Sequence, residues 1–395
     1  MANARACWCG NSDFKSFSPA YGECKVCGTL VALDALTDEQ LLVQNDETDF
    51  YGKQYWTGHQ AQSFGFPDIS VRARNDLTER NLHWLKTLMK YKLAPANVVE
   101  IGCAHGSFVA LLRQVGYQAS GVEMSPWVVE FGKQTFSIPV AVGPVEDLDI
   151  PAGSLDVIAL MDVMEHLPDP IGTMRHCLNL LKPDGMLLIQ TPQFLEGMKY
   201  DDLLASKSMF LDQLKADEHL YLFSERSVTE FFHRLGVDHI NFEPAIFQHY
   251  DMFFTVSRGP LTVNEPAQVE SSLLATPNGR LSLALLDLRD RELMLRDALA
   301  ASEADRHARL DQINSLGAEL KEVEADRAAR AVQIETLTSM LKASETDRTA
   351  RAQQIDSLTA MIKESESDRA ARGEQITVLT AMIKEAEKSR ESKNG

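Results

Sequence analysis

The sequence lacks any apolar run approaching the roughly 20 residues that a membrane-spanning helix needs. It also lacks the charged, apolar and small-residue series of a secretory signal peptide. Basic residues are few, because 39 Lys and Arg stand against 57 Asp and Glu and give a formal net charge of −18. A nucleic-acid partner would have to bind against that field, so we expect none. These absences predict a soluble intracellular protein, and 395 residues are enough for two or three parts.

Cysteine is also scarce, with six residues. Cys103 and Cys177 lie in apolar stretches, where a free cysteine packs as a small hydrophobe. The other four form two close pairs near the start, each followed by glycine: Cys7, Cys9, Cys24 and Cys27. Two such knuckles can place four thiolates around one tetrahedral zinc, with no coordination position left for chemistry. Disulfide pairing is the competing interpretation, but nothing in the sequence suggests an oxidising compartment. We therefore predict a structural zinc.

One stretch, VVEIGCAHGSF, predicts a buried strand, a glycine turn and a helix. A second strand ends at Glu123, about 20 residues beyond the glycines, where an acid can bind ribose hydroxyls. A dinucleotide site requires Gly-x-Gly-x-x-Gly, so that the backbone can approach a pyrophosphate. Here the spacing is Glu100-x-Gly102-x-Ala104-x-Gly106. An acid in this turn repels phosphate and suits a cationic amino-acid tail, which favours S-adenosylmethionine.

Four motifs, in order and spacing, resemble the class I S-adenosylmethionine-dependent methyltransferases: VVEIGCAHGSF, SGVEMSPWVVEFGKQ, SLDVIALMDVMEHLPDP and LLKPDGMLLIQTP. The resemblance covers about residues 97–235 and implies an α/β fold with a doubly wound, Rossmann-like sheet. It implies that the methionine part of the cofactor is lined by Glu100, Gly102, Ala104 and Gly106. It also assigns cofactor contacts to Glu123 at the ribose and to Met124, Glu146, Asp147 and Asp162. Glu146 or Asp147 would replace an acid that relatives often have at Pro144, on the adenine side.

Ala104 stands where the family usually has a glycine. Alanine is tolerated there if its φ stays negative, and that is what we expect.

Methyl transfer to a hydroxyl requires a base within hydrogen-bond reach of the acceptor. The segment DVMEHL follows a predicted strand and so emerges at the carboxyl edge of the sheet, where α/β proteins bind ligands. His166 in this segment is the predicted base, and packing at a helix start is the competing interpretation. His219 is the second candidate. Resemblance to ubiquinone-type O-methyltransferases implies that Asp162, Glu165 and His166 could hold a divalent cation.

The flanks of the core resemble those of methyltransferases that modify sugars in surface-glycan and deoxysugar pathways. The similarity lies in the cysteine knuckle, in FYGKQYW and in EHLYLFSERSVTEFFHRLG. It implies a sugar or glycan acceptor, O-methylated in a surface polysaccharide or its precursor. One alternative is C-methylation of a nucleotide-linked keto-deoxysugar. The other is a non-catalytic scaffold in which the C-terminal part acts alone.

The C-terminal part repeats every 21 residues, marked by Asp-Arg pairs that begin at Asp305, Asp326, Asp347 and Asp368. Twenty-one residues are three heptads, so one helical seam stays in phase through the array. Isoleucine takes position a and leucine position d in the first apolar layers, as in Ile334 and Leu337. Each repeat also places arginine at one a and one d position, as in Arg327 and Arg330. We predict a parallel dimeric or trimeric coiled coil, and a solvated single helix is the alternative.

These patterns divide the chain into four segments. We predict a zinc-binding module over 1–50, a methyltransferase domain over 51–258, a linker over 259–280 and a coiled coil over 281–395. A rod on a glycan methyltransferase resembles systems in which methylation caps a growing polysaccharide and the rod sets a distance. That resemblance implies a glycan polymerase or glycosyltransferase partner. The expected location is the cytoplasm, with attachment to the inner face of the membrane through a partner as the alternative.

Overall fold

The computed structural model describes residues 5–37, 39–60 and 65–391. The chain divides into a first unit, residues 1–296, and a second unit, residues 297–395. Strands of the first unit are β1 (Phe14–Ser16), β2 (Tyr21–Cys24), β3 (Leu30–Ala32), β4 (Asn97–Ile101), β5 (Gln118–Glu123), β6 (Val140–Val142), β7 (Leu155–Met161), β8 (Leu181–Pro192), β9 (Tyr221–Leu222), β10 (His239–Glu243) and β11 (Asp251–Ser257).

The α-helices are α1 (Ile69–Thr78), α2 (Arg80–Tyr91), α3 (Ser107–Gln114), α4 (Pro126–Phe136), α5 (Pro170–Leu180), α6 (Tyr200–Ser206), α7 (Glu225–Arg234), α8 (Pro266–Leu274) and α9 (Pro277–Glu391). Short helical turns cover Tyr55–His59, Val145–Asp147, Met164–His166 and Met209–Gln213. None of the helices in the described part of the chain is long and apolar enough to cross a membrane.

A seven-stranded sheet in the order β10-β11-β8-β7-β4-β5-β6 forms the centre of the first unit. Strands β4 to β8 pair in parallel, whereas β11 runs antiparallel to β8 and β10 antiparallel to β11. All seven residues of β7 are buried, as expected for a parallel strand covered on both faces. The predicted α/β class with a parallel Rossmann-like sheet is confirmed.

A second sheet joins the start of the chain to its middle. Its order is β1-β2-β3-β9, and β3 pairs with β9 through Leu30 with Leu222 and Val31 with Tyr221. Cys7, Cys24 and Cys27 lie in the same hydrophobic cluster as residues of the central sheet, including Ile158, Leu187 and Ile189. The cysteine module, here residues 5–32, therefore shares its sheet and its core with the remainder of the first unit.

Part of the segment expected to be a linker, 259–280, is helical. Helix α8 starts at Pro266, whose fixed φ suits a first helical turn, and Gln268 accepts a hydrogen bond from the N–H of Glu265. Leu273 is buried in the cluster that also contains Leu85. Pro266 thus begins a helix whose Leu273 packs in the core of the first unit.

Helix α9 continues through the second unit as one element of 115 residues. Before Arg296, Leu286 is buried and Lys86 forms an ion pair with Asp290 at 2.7 Å. Within the second unit every described side chain is exposed, and residues 297–391 extend about 140 Å at 1.5 Å per residue. The predicted long C-terminal helix is therefore confirmed, while its pairing into a coiled coil stays a prediction.

Candidate active site

A cavity of about 220 Å³ lies at the carboxyl edge of the parallel strands in the first unit. It is lined by the turn after β4, by the segment after β7, by residues of the segment 213–219, and by Tyr55, Trp56, Gln60, Phe66 and Arg72 from the N-terminal part. Seven of the predicted site residues line it: Glu100, Gly102, Ala104, Asp162, Glu165, His166 and His219. Sequence reasoning therefore located this cavity from two separate motifs.

The turn after β4 requires left-handed backbone at three alternate positions. Gly102 has φ +65° and Gly106 has φ +74°, and a Cβ on Gly106 would lie 2.1 Å from Cδ1 of Ile138. Ala104 also has a positive φ, 49°, so the expectation that its φ stays negative is wrong. This conformation costs about 1–2 kcal/mol for an L-residue. The Ala104 N–H donates to Oε2 of Glu123 at 3.1 Å, which holds the turn in place.

Glu100 supplies a buried carboxyl group to the cavity. Its Oε2 has no hydrogen-bond partner among the described residues. Burial raises the pKa of Glu100 well above its ordinary value, and the charge of Glu123 adds to the shift. Such a group is costly to bury unless a cation or a donor meets it. The cationic amino-acid tail of S-adenosylmethionine fits this requirement.

Glu123 ends β5 and is engaged by the backbone. Besides Ala104, it accepts hydrogen bonds from the N–H groups of Met124 at 2.8 Å and Ser125 at 3.2 Å. Burial raises its pKa, against the opposing effect of these three donors. The ribose contact of Glu123 stays a prediction.

Several predicted cofactor residues lie outside the cavity lining. Gly106, Glu123 and Met124 are at the same edge of the sheet but do not line it, and neither do Glu146 and Asp147. The side chains of Glu146 and Asp147 are exposed on the short helical turn after β6. The adenine contact that we assigned to this turn remains a prediction.

His166 lies in the helical turn after β7 with a defined proton position. Its Nδ1 is 2.8 Å from the carbonyl oxygen of Glu218, so Nδ1 carries the hydrogen and Nε2 keeps a lone pair. Burial lowers the pKa of His166, which keeps the ring neutral near pH 7. A neutral imidazole with a free Nε2 has the form that a general base requires.

His219 has the same arrangement beside it. Its Nδ1 is 2.8 Å from the carbonyl oxygen of Gln213, and its ring centroid is 4.9 Å from that of His166. Burial lowers the pKa of His219 well below its ordinary value, and a charge on His166 would lower it further. Both predicted bases therefore present an Nε2 lone pair within one cluster.

Glu165 completes a group with the two histidines. Its Oε2 accepts a hydrogen bond from the Thr191 hydroxyl at 2.9 Å. Its Oε1 has no hydrogen-bond partner within the described ranges and lies 3.8 Å from Nε2 of His166. One ligand atom each from Glu165, His166 and His219 lies within 4.8 Å of the others. Burial raises the pKa of Glu165 well above its ordinary value, and Asp162 adds to that shift. One carboxylate and two imidazoles are a suitable ligand set for a divalent cation.

Asp162 contacts other groups than the predicted cation set. Its Oδ2 accepts a hydrogen bond from Arg80 at 3.2 Å and its Oδ1 accepts one from Gln190 at 3.0 Å. Its φ is +57°, an uncommon conformation for a residue other than glycine. The structure thus brings His219, rather than Asp162, together with Glu165 and His166.

A set of polar contacts around the two histidines was not predicted from the sequence. Glu218 accepts a hydrogen bond from the Tyr55 hydroxyl at 3.1 Å and pairs with Nε2 of His59 at 2.8 Å. The Tyr51 hydroxyl lies 3.1 Å from Nδ1 of His166. Tyr51 and Tyr55 belong to the motif FYGKQYW, which we had used only as a resemblance to sugar-modifying methyltransferases and which was the signal for these contacts. The acid that precedes His219 gave no signal of its own.

Asp251 was also missed, and it changes the electrostatics of the cavity. It begins β11, is buried, and lines the cavity. Burial and the nearby charge of Asp162 raise its pKa to about 9. At neutral pH Asp251 is therefore protonated and can donate a hydrogen bond.

The four N-terminal cysteines meet as predicted. The Sγ atoms of Cys7 and Cys27 are 3.4 Å apart, those of Cys9 and Cys24 are 3.6 Å apart, and all four lie within 4.8 Å of one another. The Asn11 amide donates to Cys24 Sγ at 3.3 Å. All six cysteines are free, so the competing disulfide interpretation has no support here. Four converging sulfurs fit a tetrahedral zinc.

Most strands of the central sheet lie in a segment that matches known proteins. Residues 73–240 match a family model described as "Methyltransferase domain". Ubiquinone biosynthesis O-methyltransferase of Xanthomonas oryzae pv. oryzae (strain PXO99A) is 32% identical over 105 residues, 25% of this chain and 44% of that protein. The same enzyme of Xanthomonas axonopodis pv. citri (strain 306) is 33% identical over 104 residues, with equal coverage. The chain thus spans less than half the length of these relatives.

Solved structures that match part of the chain include a complex between the Haloferax volcanii Trm112 methyltransferase activator and a methyltransferase described as putative. The TM-score is 0.40 at 17% identity, covering 52% of this chain and 99% of that one. Magnesium protoporphyrin IX methyltransferase from Synechocystis PCC 6803 gives a TM-score of 0.37 at 16% identity, covering 52% and 98%. The family match identifies residues 73–240 as a methyltransferase domain.

Proposed function

We propose, from this methyltransferase domain, that the chain transfers a methyl group from S-adenosylmethionine to a sugar hydroxyl of a surface polysaccharide or its precursor. One observation carries the proposal. A single cavity contains both the partnerless carboxyl oxygen of Glu100 and the two histidines, His166 and His219, whose Nδ1 hydrogens are fixed by carbonyl groups. The first feature suits a cationic cofactor tail, and the second suits removal of a hydroxyl proton.

The turn after β4 forms the cofactor side of the site. Gly102 and Ala104 bring the backbone to the cavity without bulky side chains, and Glu100 binds the ammonium group of the methionine part. Glu123 holds the turn through Ala104. When bound, the cofactor supplies an electrophilic methyl group on a sulfonium, and the residues of this side fix its position.

His166 and His219 form the acceptor side. A hydroxyl that reaches Nε2 of His166 can give up its proton to a ring that burial keeps neutral. The Glu218 carbonyl then stabilises the imidazolium through Nδ1. Asp251, protonated at neutral pH, can donate a hydrogen bond to a second acceptor oxygen.

The aromatic lining supports a sugar acceptor. Tyr55, Trp56, Phe66, Phe247 and Tyr250 line the cavity beside the polar groups. Aromatic side chains offer a flat apolar surface for the C–H face of a sugar ring, while the polar groups meet its hydroxyls. The combination favours an acceptor that has both an apolar face and several hydroxyls.

A divalent cation is the second cofactor that the site could take. Glu165, His166 and His219 would hold it, and it would lower the pKa of an acceptor hydroxyl. The fit rests on the partnerless Oε1 of Glu165 and on the two Nδ1–H groups that donate to backbone carbonyls, the arrangement common to histidine ligands. Metal occupancy would use the same Nε2 lone pairs as the base, so the two roles exclude each other at one histidine.

A structural zinc at Cys7, Cys9, Cys24 and Cys27 is part of the same proposal. The second unit adds self-association through the a and d positions of α9. Support for this comes from the exposed seam, since Ile334, Leu337 and Leu341 are each more than 60% exposed in one chain. A glycan polymerase or glycosyltransferase partner stays a prediction.

The similarity to ubiquinone biosynthesis O-methyltransferases favours a second candidate, O-methylation of a phenolic hydroxyl. The test is incubation of the full chain with methyl-labelled S-adenosylmethionine and a panel of acceptors: nucleotide sugars, keto-deoxysugar nucleotides, oligosaccharides and catechols. NMR then locates the new methyl group. We expect an O-methyl sugar. A C-methyl product or an O-methyl catechol would replace the acceptor class, and no product with any acceptor would remove the sugar-methyltransferase proposal.

A further inference from the structure

We propose that the cysteine module positions the acceptor side of the active site, with Tyr21 as the residue that fixes His219. The inference rests on the proposed methyl transfer and goes beyond it, since it gives the zinc site a role in the geometry of the catalytic group. It predicts that only the acceptor side of the cavity depends on the cysteine module. The cofactor side is built on β4 and β5, whereas the acceptor side joins His166, on the turn after β7, to His219, on the segment that pairs with the cysteine module.

Strand β9, which follows His219, pairs with strand β3 of the cysteine module. Residues 218–222 come from the middle of the chain, but among the described strands β9 of this segment pairs with β3 of the cysteine module. The Ala32 N–H donates to the carbonyl oxygen of Leu220 at 3.0 Å. The segment that contains His219 is therefore an edge of the cysteine module's sheet.

Tyr21 of the cysteine module contacts the backbone of His219 directly. The hydroxyl of Tyr21 donates to the carbonyl oxygen of His219 at 2.8 Å, and the Tyr21 side chain has 0% exposure. Burial holds the pKa of Tyr21 far above its ordinary value, so the hydroxyl stays a donor. The contact fixes the backbone from which the imidazole of His219 extends.

The backbone on either side of His219 also bonds to the turn after β7. The carbonyl of Glu218 accepts from Nδ1 of His166 at 2.8 Å, and the Leu220 N–H donates to the carbonyl of Glu165 at 2.8 Å. The Glu218 carbonyl and the Leu220 N–H thus bond to the turn after β7, whereas the carbonyls of His219 and Leu220 accept from the cysteine module. A shift of the module would move His219 relative to Glu165 and His166.

Two cysteines of the cluster and Tyr21 belong to the same β-hairpin. Cys24 ends β2, the strand that begins with Tyr21, and Cys27 lies in the turn between β2 and β3. The Cys24 N–H donates to the carbonyl of Thr29 at 2.8 Å across that turn. A metal held by the four cysteines would lock this hairpin, and with it the positions of Tyr21 and Ala32.

The test compares two tyrosine substitutions that each delete one buried hydroxyl donating to a backbone carbonyl. Tyr21→Phe removes the bond to His219, whereas Tyr117→Phe removes an equivalent bond to the Lys92 carbonyl, away from the cavity. We measure S-adenosylhomocysteine affinity by calorimetry, kcat and KM with the acceptor found in the panel, and hydrogen–deuterium exchange by mass spectrometry.

For Tyr21→Phe we expect kcat to fall about tenfold or more, because small displacements of a catalytic group lower rates steeply. Affinity for S-adenosylhomocysteine should stay within about twofold, and exchange should accelerate in peptides covering 215–222. Tyr117→Phe should change none of the three. Equal kcat for Tyr21→Phe and wild type, or equal losses for the two variants, would overturn the proposal.

Removal of the metal supplies the second arm on the unaltered full chain. A chelator that strips zinc, with the metal content measured by mass spectrometry, should accelerate exchange over 215–222 and lower kcat. Exchange over 97–106 and the affinity for S-adenosylhomocysteine should be retained, and added zinc should restore the loss. Loss of cofactor binding together with kcat would overturn the division into two sides. If wild type methylates no acceptor, the proposed function fails, while the exchange measurements still decide whether Tyr21 and the metal hold this segment.

Discussion

Glu100 is the residue whose ionisation we expect to change most when the cofactor binds. Its partnerless oxygen and its raised pKa describe a carboxyl group that stays protonated until a cation arrives. Binding of the cofactor should lower that pKa and release a proton. Glu100 therefore couples cofactor affinity to pH, with affinity increasing as the pH rises.

Substitution of this residue gives the first prediction. Glu100→Gln should weaken S-adenosylmethionine binding by about 2 kcal/mol, roughly 30-fold, because a charge-assisted hydrogen bond is lost. It should also abolish proton release, measured by calorimetry in buffers that differ in ionisation enthalpy. Glu130→Gln on the exposed side of α4 is the control and should bind normally. Unchanged affinity in Glu100→Gln would exclude this residue from the cofactor site.

The second prediction concerns the base. His166→Ala should lower kcat by roughly 10²- to 10⁴-fold with cofactor affinity retained. Because burial lowers the pKa of His166, the neutral base is present at pH 7, and kcat/KM should fall only as the pH drops below about 6.5. A comparable loss in His219→Ala, with His166→Ala nearly active, would assign the base to His219.

The third prediction concerns Asp251, whose folded-state pKa is raised to about 9. Between about pH 4 and pH 9 this carboxyl group is ionised in the unfolded chain but protonated in the folded one. The contribution of Asp251 to the free energy of unfolding therefore falls as the pH increases from about 4 towards 9. Asp251→Asn removes that loss. The thermal midpoint of the variant should therefore rise relative to wild type between pH 5.5 and pH 9. Asp184→Asn is the control, since Lys92 lowers the pKa of that exposed acid and no such gain is expected.

Among the elements, α9 contains the most regular pattern and the least buried surface. Asp326 pairs with Arg330 in the same helix at 2.7 Å, and the pattern recurs 21 residues later as Asp347 with Arg351 at 2.8 Å. In a parallel pair Asp326 occupies position g, next to Arg327 at position a of the neighbouring helix. If two helices align in register, or are offset by 21 residues, the arginines of one helix lie next to the aspartates of the other. If they are offset by seven residues, the arginine layers face isoleucine and leucine layers instead.

This arrangement gives the fourth prediction. Replacing both Arg327 and Arg330 by leucine should raise the thermal midpoint of the helix, because a polar layer at a and d lowers stability while specifying register. Circular dichroism at 222 nm measures the midpoint. Lys342→Leu, at position b outside the seam, is the matched control and should leave the midpoint nearly unchanged. A lower midpoint in the double variant would show that the arginine layers stabilise the rod through ion pairs.

Periodicity in the sequence was sufficient to predict the strand, glycine turn and helix at β4 and the long helix α9. Both depend on local patterns that repeat within a few residues. The pairing of β3 with β9 could not be predicted, because it joins Val31 to Tyr221, which are far apart in the sequence and belong to different predicted segments. The same non-local contact explains why Tyr21 and Glu218 were missed, although their neighbours Cys24 and His219 were identified. The conformation of Ala104 was missed because its strain is balanced by Glu123, 19 residues away.

For the whole molecule, the boundary between the two units decides where a truncation is tolerated. A chain cut after Arg296 should keep the methyltransferase unit folded, since Leu286 and the Lys86–Asp290 pair are retained. A cut after Arg280 removes them and should lower the thermal midpoint. We expect the chain that ends at Arg296 to lose self-association, which analytical ultracentrifugation measures. It should methylate a short acceptor at a near-normal rate. A truncated form that kept the oligomeric state of the full chain would place the interface in the first unit.

The shared sheet of the cysteine module also determines the order of events during synthesis. Strand β3 ends at Ala32, and its partner β9 is translated about 190 residues later, which takes roughly 10–40 s at usual elongation rates. Until then the edge of β3 is unpaired and open to other chains. Early loading of zinc would protect the nascent thiols and keep the hairpin ready for its partner. Metal supply during translation should therefore limit the yield of active protein more than metal supply after release from the ribosome.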